Sequence, residues 1–98
     1  MIVIADDEQL VRSLVSRLLG DKFIVLEAMD GEAAVHLARS YKLDIILMDI
    51  MMPKMDGYNA CSIIRTDQAT KGVPVVMLTG PDHELNKKLA KTMGADDT

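Results

Sequence analysis

Two apolar runs in this sequence stop at carboxylates and a third stops at a hydroxyl. Residues 1–5 end abruptly at Asp6, Asp7 and Glu8, residues 45–48 deliver Asp49 to their end, and residues 75–78 deliver Thr79. Brought together, such carboxylates repel one another, and burying even one without a partner is costly. A cation is the natural resolution. Hard oxygen ligands select Mg²⁺, which prefers about six oxygens, keeps several waters and takes one or two carboxylates from the protein. One carboxylate is then left free as a nucleophile. An Asp in that role forms an aspartyl-phosphate, the metal neutralising the phosphoryl oxygens and a nearby hydroxyl or cation holding the third.

The surrounding periodicity predicts how these residues meet. Residues 45–48 form a continuous apolar run, as a strand buried on both faces does, and Pro53, Asp56 and Gly57 turn the backbone beyond it. Strands are expected over residues 1–5, 23–26, 44–49 and 75–78. A helix is expected from Gln9 to Leu19, where Leu10, Val11, Leu14, Val15, Leu18 and Leu19 recur at helical spacing, with Arg12, Ser13, Ser16 and Arg17 between them and Gly20 after them. Asp30 and Gly31 make a turn or cap before a second helix over residues 32–41, and residues 58–65 form a short third. Asp82 caps a fourth, lined by Leu85, Leu89, Ala90 and Met93 and closed by Gly94.

Strands alternating with helices of this length specify βαβ units with right-handed crossovers. The fold class is therefore α/β, a doubly wound parallel sheet. In such a sheet the ends of strands one, three and four share one edge, so Asp6, Asp7, Asp49 and Thr79 converge without being near in sequence.

Ninety-eight residues fit one small domain, and a hydrophobic fraction of 49% is enough for a core. Eight Met against three aromatics read as flexible aliphatic filling and carry no function. A net charge of -4 provides no field for nucleic acid or anionic lipid, so no direct nucleic-acid partner and no membrane partner are expected. The single Cys61 rules out an internal disulfide and reads as a buried, inert thiol. No apolar segment reaches the roughly 18 to 20 residues that cross a bilayer, and no signal peptide is recognisable. The expectation is a soluble, cytoplasmic chain.

The sequence resembles the receiver domain of bacterial two-component response regulators. The resemblance lies in ADDE at residues 5–8, LMDIMMPKMDG at 47–57, MLTG at 77–80 and GADD at 94–97, in family order and spacing along the whole chain. It implies a flavodoxin-like receiver fold of strand order 2-1-3-4 and a phosphoacceptor role for Asp49, supplied by a sensor histidine kinase, a phosphotransfer protein or a small phosphodonor. It implies Mg²⁺ as cofactor, with Asp7 binding the metal directly, Asp6 mainly through water, Asp49 as a ligand and the carbonyl of Met51 as a further one. Thr79 matches the switch hydroxyl that moves to the phosphoryl oxygen. Pro53, Asp56 and Gly57 match positions that shape the turn. The implied output is altered interaction with a downstream domain or protein, and the only catalysis is the domain's own phosphorylation and dephosphorylation.

Two departures from the family pattern stand out. Family members carry a Lys followed by Pro at the end of a fifth strand, then a fifth helix, and this sequence stops at Thr98 before them. Lys54, Lys87, Lys88 and Lys91 lie in the wrong segments to replace that Lys. The 98 residues are accordingly expected to be a C-terminally incomplete receiver domain and a piece of a longer protein. Strand four is left as an edge and part of helix one uncovered, which invites dimerisation or domain swapping. Second, Met51 lies two residues after Asp49 and Pro81 two after Thr79, flanking the path of attacking water in the family. Neither side chain hydrogen-bonds usefully to that water, so slow aspartyl-phosphate hydrolysis is expected.

Blander readings exist for each residue. Asp6, Asp7 and Glu8 could simply complement a helix dipole, and Thr79 could be a helix cap. His36 and His83 have no second histidine at ligand spacing and read as surface or cap residues. A pseudo-receiver that keeps the fold as a phosphorylation-independent interaction module is the main alternative. A haloacid-dehalogenase-like phosphatase is disfavoured because Met51 stands where that family places its second Asp. A nucleotide-binding α/β fold is disfavoured because no Gly-rich cradle follows strand one.

Overall fold

The computed structural model describes residues 1–78. Four strands alternate with three helices: β1 (Ile2–Ala5), α1 (Gln9–Leu19), β2 (Val25–Ala28), α2 (Gly31–Ser40), β3 (Ile45–Asp49), α3 (Gly57–Thr66) and β4 (Val75–Leu78). All the strand pairings are parallel, in the order β2-β1-β3-β4. This is the flavodoxin-like receiver order expected from the sequence. β4 is an edge of the described sheet. The fourth helix, Pro81 and His83 lie outside the described residues.

The register places one face of the sheet in two rows. Leu26, Val3, Ile46 and Val75 form one row, and Ala28, Ala5, Met48 and Met77 the next. Against them pack Ala34, Val35 and Ala38 of α2 and Ala60 and Ile64 of α3, which makes the main core. Small alanines let α2 approach β1 and β2 closely. Ile46, Met48 and Ile64 are fully buried, and burial of each such side chain contributes roughly 1.5–3 kcal/mol.

α1 contacts β1 and β2, but none of its residues is fully buried. Val11, Val15 and Leu19 are half-buried, while Leu10, Leu14 and Leu18 remain exposed. The uncovered part of helix one expected from the sequence is therefore present. The same asymmetry corrects the reading of β3 as buried on both faces. Ile46 and Met48 are sealed under α2 and α3, whereas Ile45, Leu47 and Asp49 are half-buried.

β2 also differs from expectation, running from Val25 to Ala28 rather than over residues 23–26. The N–H groups of Lys22 and Phe23 both donate to the carbonyl of Leu19, so Phe23 belongs to the turn that closes α1. Ile24 and Phe23 are exposed despite their β-favouring side chains. Pairing begins only where Val25 meets Ile2. Cys61 is half-buried rather than buried, and Arg65 Nε donates to its Sγ at 3.2 Å.

Candidate functional site

Each carboxylate is placed by the end of a strand. β1 stops at Ala5, and Asp6 continues toward β2 by donating its N–H to the carbonyl of Ala28 at 3.0 Å. The turn then closes on itself, with Asp6 Oδ1 accepting from the N–H of Glu8 at 2.8 Å. β3 lies beside β1 and ends at Asp49, directly across from Leu78 of β4. Gly57 N–H donates to the carbonyl of Ile50 at 2.8 Å, which folds the loop after β3 back toward the strand end.

The outcome is a cluster of three carboxylates. Oxygens of Asp6, Asp7 and Asp49 all lie within 4.8 Å of one another. Asp6 is buried, Asp49 half-buried and Asp7 exposed. The electrostatics match the crowding. Burial, followed by repulsion from Asp6, pushes the Asp49 carboxyl up from the usual 3.8 to about 6, against hydrogen bonds from the N–H groups of Ile50 and Met51. Burial likewise raises Asp6, opposed by the Glu8 N–H. Glu8, the remaining acidic residue of the run, occupies the N-cap position of α1 but makes no side-chain cap bond.

An all-oxygen donor set with mutual repulsion fits a hard divalent cation such as Mg²⁺. Lys54 does not supply a counter-charge: its Nζ lies 3.9 Å from Asp30 Oδ2. Met51 follows Asp49 closely, with its side chain 77% exposed and its N–H bonded to the Asp49 carboxylate. Thr79 lies outside the described residues, one position beyond the end of β4. A groove of about 600 Å³ beside α3, lined by Met52, Lys54, Met55 and Asn59 among others, contains none of the three carboxylates. The carboxylate cluster at the strand ends and that groove share no lining residue.

The sequence family described as the response regulator receiver domain matches residues 2–98. The chain belongs to the response regulator receiver family. Among curated relatives, the alkaline phosphatase synthesis transcriptional regulatory protein PhoP of Bacillus subtilis is 37% identical over 99% of this chain and 40% of its own length. The response regulator PleD of Caulobacter vibrioides is also 37% identical, over 99% of this chain and 21% of that protein. The receiver chain thus spans less than half of the curated relatives it matches.

Solved receiver structures agree in fold. TrrA of Thermotoga maritima, determined in complex with Mg²⁺ and BeF, superposes with a TM-score of 0.74 at 26% identity, covering 93% of this chain and 78% of that one. The receiver domain of a sensor histidine kinase from Pseudomonas aeruginosa, with a magnesium ion in its active-site cleft, gives 0.76 at 29% identity over 90% of this chain and 76% of that one.

Residues read from the sequence as Asp6, Asp7 and Asp49 are therefore brought together. The sequence reading missed Arg12. Arg12 Nη1 donates to the carbonyl of Asp6 at 2.7 Å, and Arg12 Nε to Glu27 Oε1 at 3.1 Å. The available signal was an Arg placed between apolar positions one turn into the helix that follows the acidic run. No helix among the described residues is long and apolar enough to cross a membrane.

Proposed function

We propose that this receiver domain takes a phosphoryl group onto Asp49 from the phosphohistidine of a sensor histidine kinase or a phosphotransfer protein. The single observation that supports this most is the convergence of Asp6, Asp7 and Asp49 at the strand ends. An Asp49 carboxylate oxygen attacks phosphorus, the N–P bond of the donor breaks, and the released imidazole takes up a proton. Mg²⁺, when bound, neutralises charge on the phosphoryl oxygens. Asp7 would hold that ion directly, Asp6 mainly through water, and Asp49 and the carbonyl of Met51 would complete the protein's share. Thr79 then engages the phosphoryl oxygen, and the change alters binding to a downstream output domain or protein.

The domain turns over no metabolite and catalyses only its own phosphorylation and dephosphorylation. It works in the cytoplasm, and neither nucleic acid nor membrane is a direct partner of this segment. The exposed Leu10, Leu14 and Leu18 of α1 favour dimerisation.

Intact mass spectrometry after incubation with Mg²⁺ and acetyl phosphate tests the reading, on this chain and on Asp49→Ala. One phosphoryl group gained, dependent on Mg²⁺ and lost in the variant, is the expected result. No gain, also with the family's fifth strand and its Lys appended, would instead make it an interaction-only module.

A further inference from the structure

The backbone of Asp6 is anchored to β2 from both sides. Its N–H donates to the carbonyl of Ala28. Its carbonyl accepts from Arg12 Nη1, while the same guanidinium donates through Nε to Glu27 Oε1 on β2. Glu27 is braced in turn, since Ser16 Oγ donates to its Oε2 at 3.2 Å. The Arg12 side chain is only 11% exposed. A planar guanidinium offers its donors in a fixed fork, so one side chain locks the angle between the β1–α1 turn and the β2 strand.

That turn carries two of the three clustered carboxylates. Unrestrained, Asp6 and Asp7 would relax away from Asp49, because like charges at this spacing repel. Each ångström of relaxation must be recovered when an ion with strict geometric demands draws them in again. We propose that Arg12, held by Glu27 and Ser16, is a positioning residue that presets the Asp6–Asp7 turn for divalent-cation binding. The inference rests on the Mg²⁺ site of the proposed function.

Two roles for Arg12 make opposite predictions. If its charge merely offsets the carboxylates, removing it concentrates negative potential and Mg²⁺ binds more tightly. If the fork presets the turn, removing it loosens binding.

Isothermal titration of the full chain with MgCl₂ separates the two, with circular dichroism as a check on folding. Arg12→Ala is expected to weaken Mg²⁺ binding by about tenfold, the lower end for residues that orient metal ligands. Arg12→Lys keeps the charge but loses the fork, and is expected to weaken binding nearly as much. Glu27→Gln leaves the strand's shape unchanged and should give a smaller loss in the same direction. Folded Arg12→Ala that binds as tightly as the parent chain or more tightly overturns the inference. If that variant does not fold, unchanged affinity in both Arg12→Lys and Glu27→Gln overturns it. A parent chain that shows no Mg²⁺ binding overturns the proposed metal site itself, a separate result.

Discussion

Gly57 lies directly against the carbonyl oxygen of Asp49. A Cβ built on Gly57 would collide with that oxygen and would also come within 2.9 Å of the Met77 side-chain methyl. The first residue of α3 and the last residue of β3 are therefore in backbone contact, which fixes the helix relative to Asp49. Gly57→Ala should destabilise the fold by about 1–3 kcal/mol, as overpacking of a filled site does. That outweighs any gain in helix propensity, at most about 1 kcal/mol. Thermal unfolding of Gly57→Ala should fall by several degrees, on the order of 4–8 °C per kcal/mol for a domain of this size. Gly72→Ala is the control, because nothing lies within 4 Å of a Cβ there. Equal melting of the two variants would refute the contact's importance.

The sequence disclosed what periodicity and strand-end logic encode. α1 and β4 were legible to the residue, since apolar runs there stop at unmistakable breakers. Convergence of Asp6, Asp7 and Asp49 was legible because parallel α/β sheets gather strand ends on one edge. β2 was misplaced because Phe23 and Ile24 favour strands by type, whereas the closing turn of α1 takes Phe23. Glu27 lies one residue past the expected end of that strand, and its partners on α1, Arg12 and Ser16, accommodate its carboxylate. Arg12 was hidden for a related reason. Helical periodicity assigns it to a polar stripe, and only the three-dimensional turn brings its fork over the carbonyl of Asp6.

A pH dependence follows from Asp49, whose carboxyl is raised to about 6 from 3.8. Because the folded pKa lies above the unfolded one, its contribution is fully present below about pH 4 and is lost as pH rises through 6. Discounted for solvent screening, the loss is about 1 kcal/mol. Asp6 is shifted in the same direction. Asp67 is lowered instead, by the Ala69 N–H and Arg39, so its contribution is complete before pH 5. Urea unfolding of the metal-free chain should therefore show a lower midpoint at pH 7.5 than at pH 5. Mg²⁺ at pH 7.5 should restore it by binding the folded state, and Asp49→Asn should largely abolish the difference. A metal-free midpoint that rises between pH 5 and 7.5 contradicts the crowding described for this cluster.

The three helix starts among the described residues are not equivalent. Asp30 accepts from the Ala33 N–H, and Asp56 from the Asn59 N–H, each at 2.8 Å. Glu8 makes no such bond for α1. Asp30→Ala and Asp56→Ala should each cost about 1 kcal/mol, whereas Glu8→Ala should cost close to nothing. Asp30 should cost the more of the two, being 7% exposed and facing the Lys54 ammonium. Chemical denaturation of the three variants tests this ranking, and a loss at Glu8 equal to that at Asp56 would mean that α1 is capped in a way the structure does not contain.

Met51 sets the last expectation, the lifetime of the aspartyl-phosphate. Its N–H is engaged with the Asp49 carboxylate, which fixes the backbone beside the reacting group, while its side chain stays 77% exposed. A thioether is at best a weak acceptor and cannot donate, so it offers an attacking water no orientation. Met51→Asn supplies both a donor and an acceptor at that position. One hydrogen bond made in the transition state, worth about 1 kcal/mol, shortens the phosphate lifetime about fivefold. The decay of the phosphorylated mass after removal of acetyl phosphate measures it directly. Met51→Leu, which adds no polar group, should decay like the parent chain. If Met51→Asn also decays at the parent rate, water is not guided from this side of Asp49, and Met51 gives no ground for slow hydrolysis.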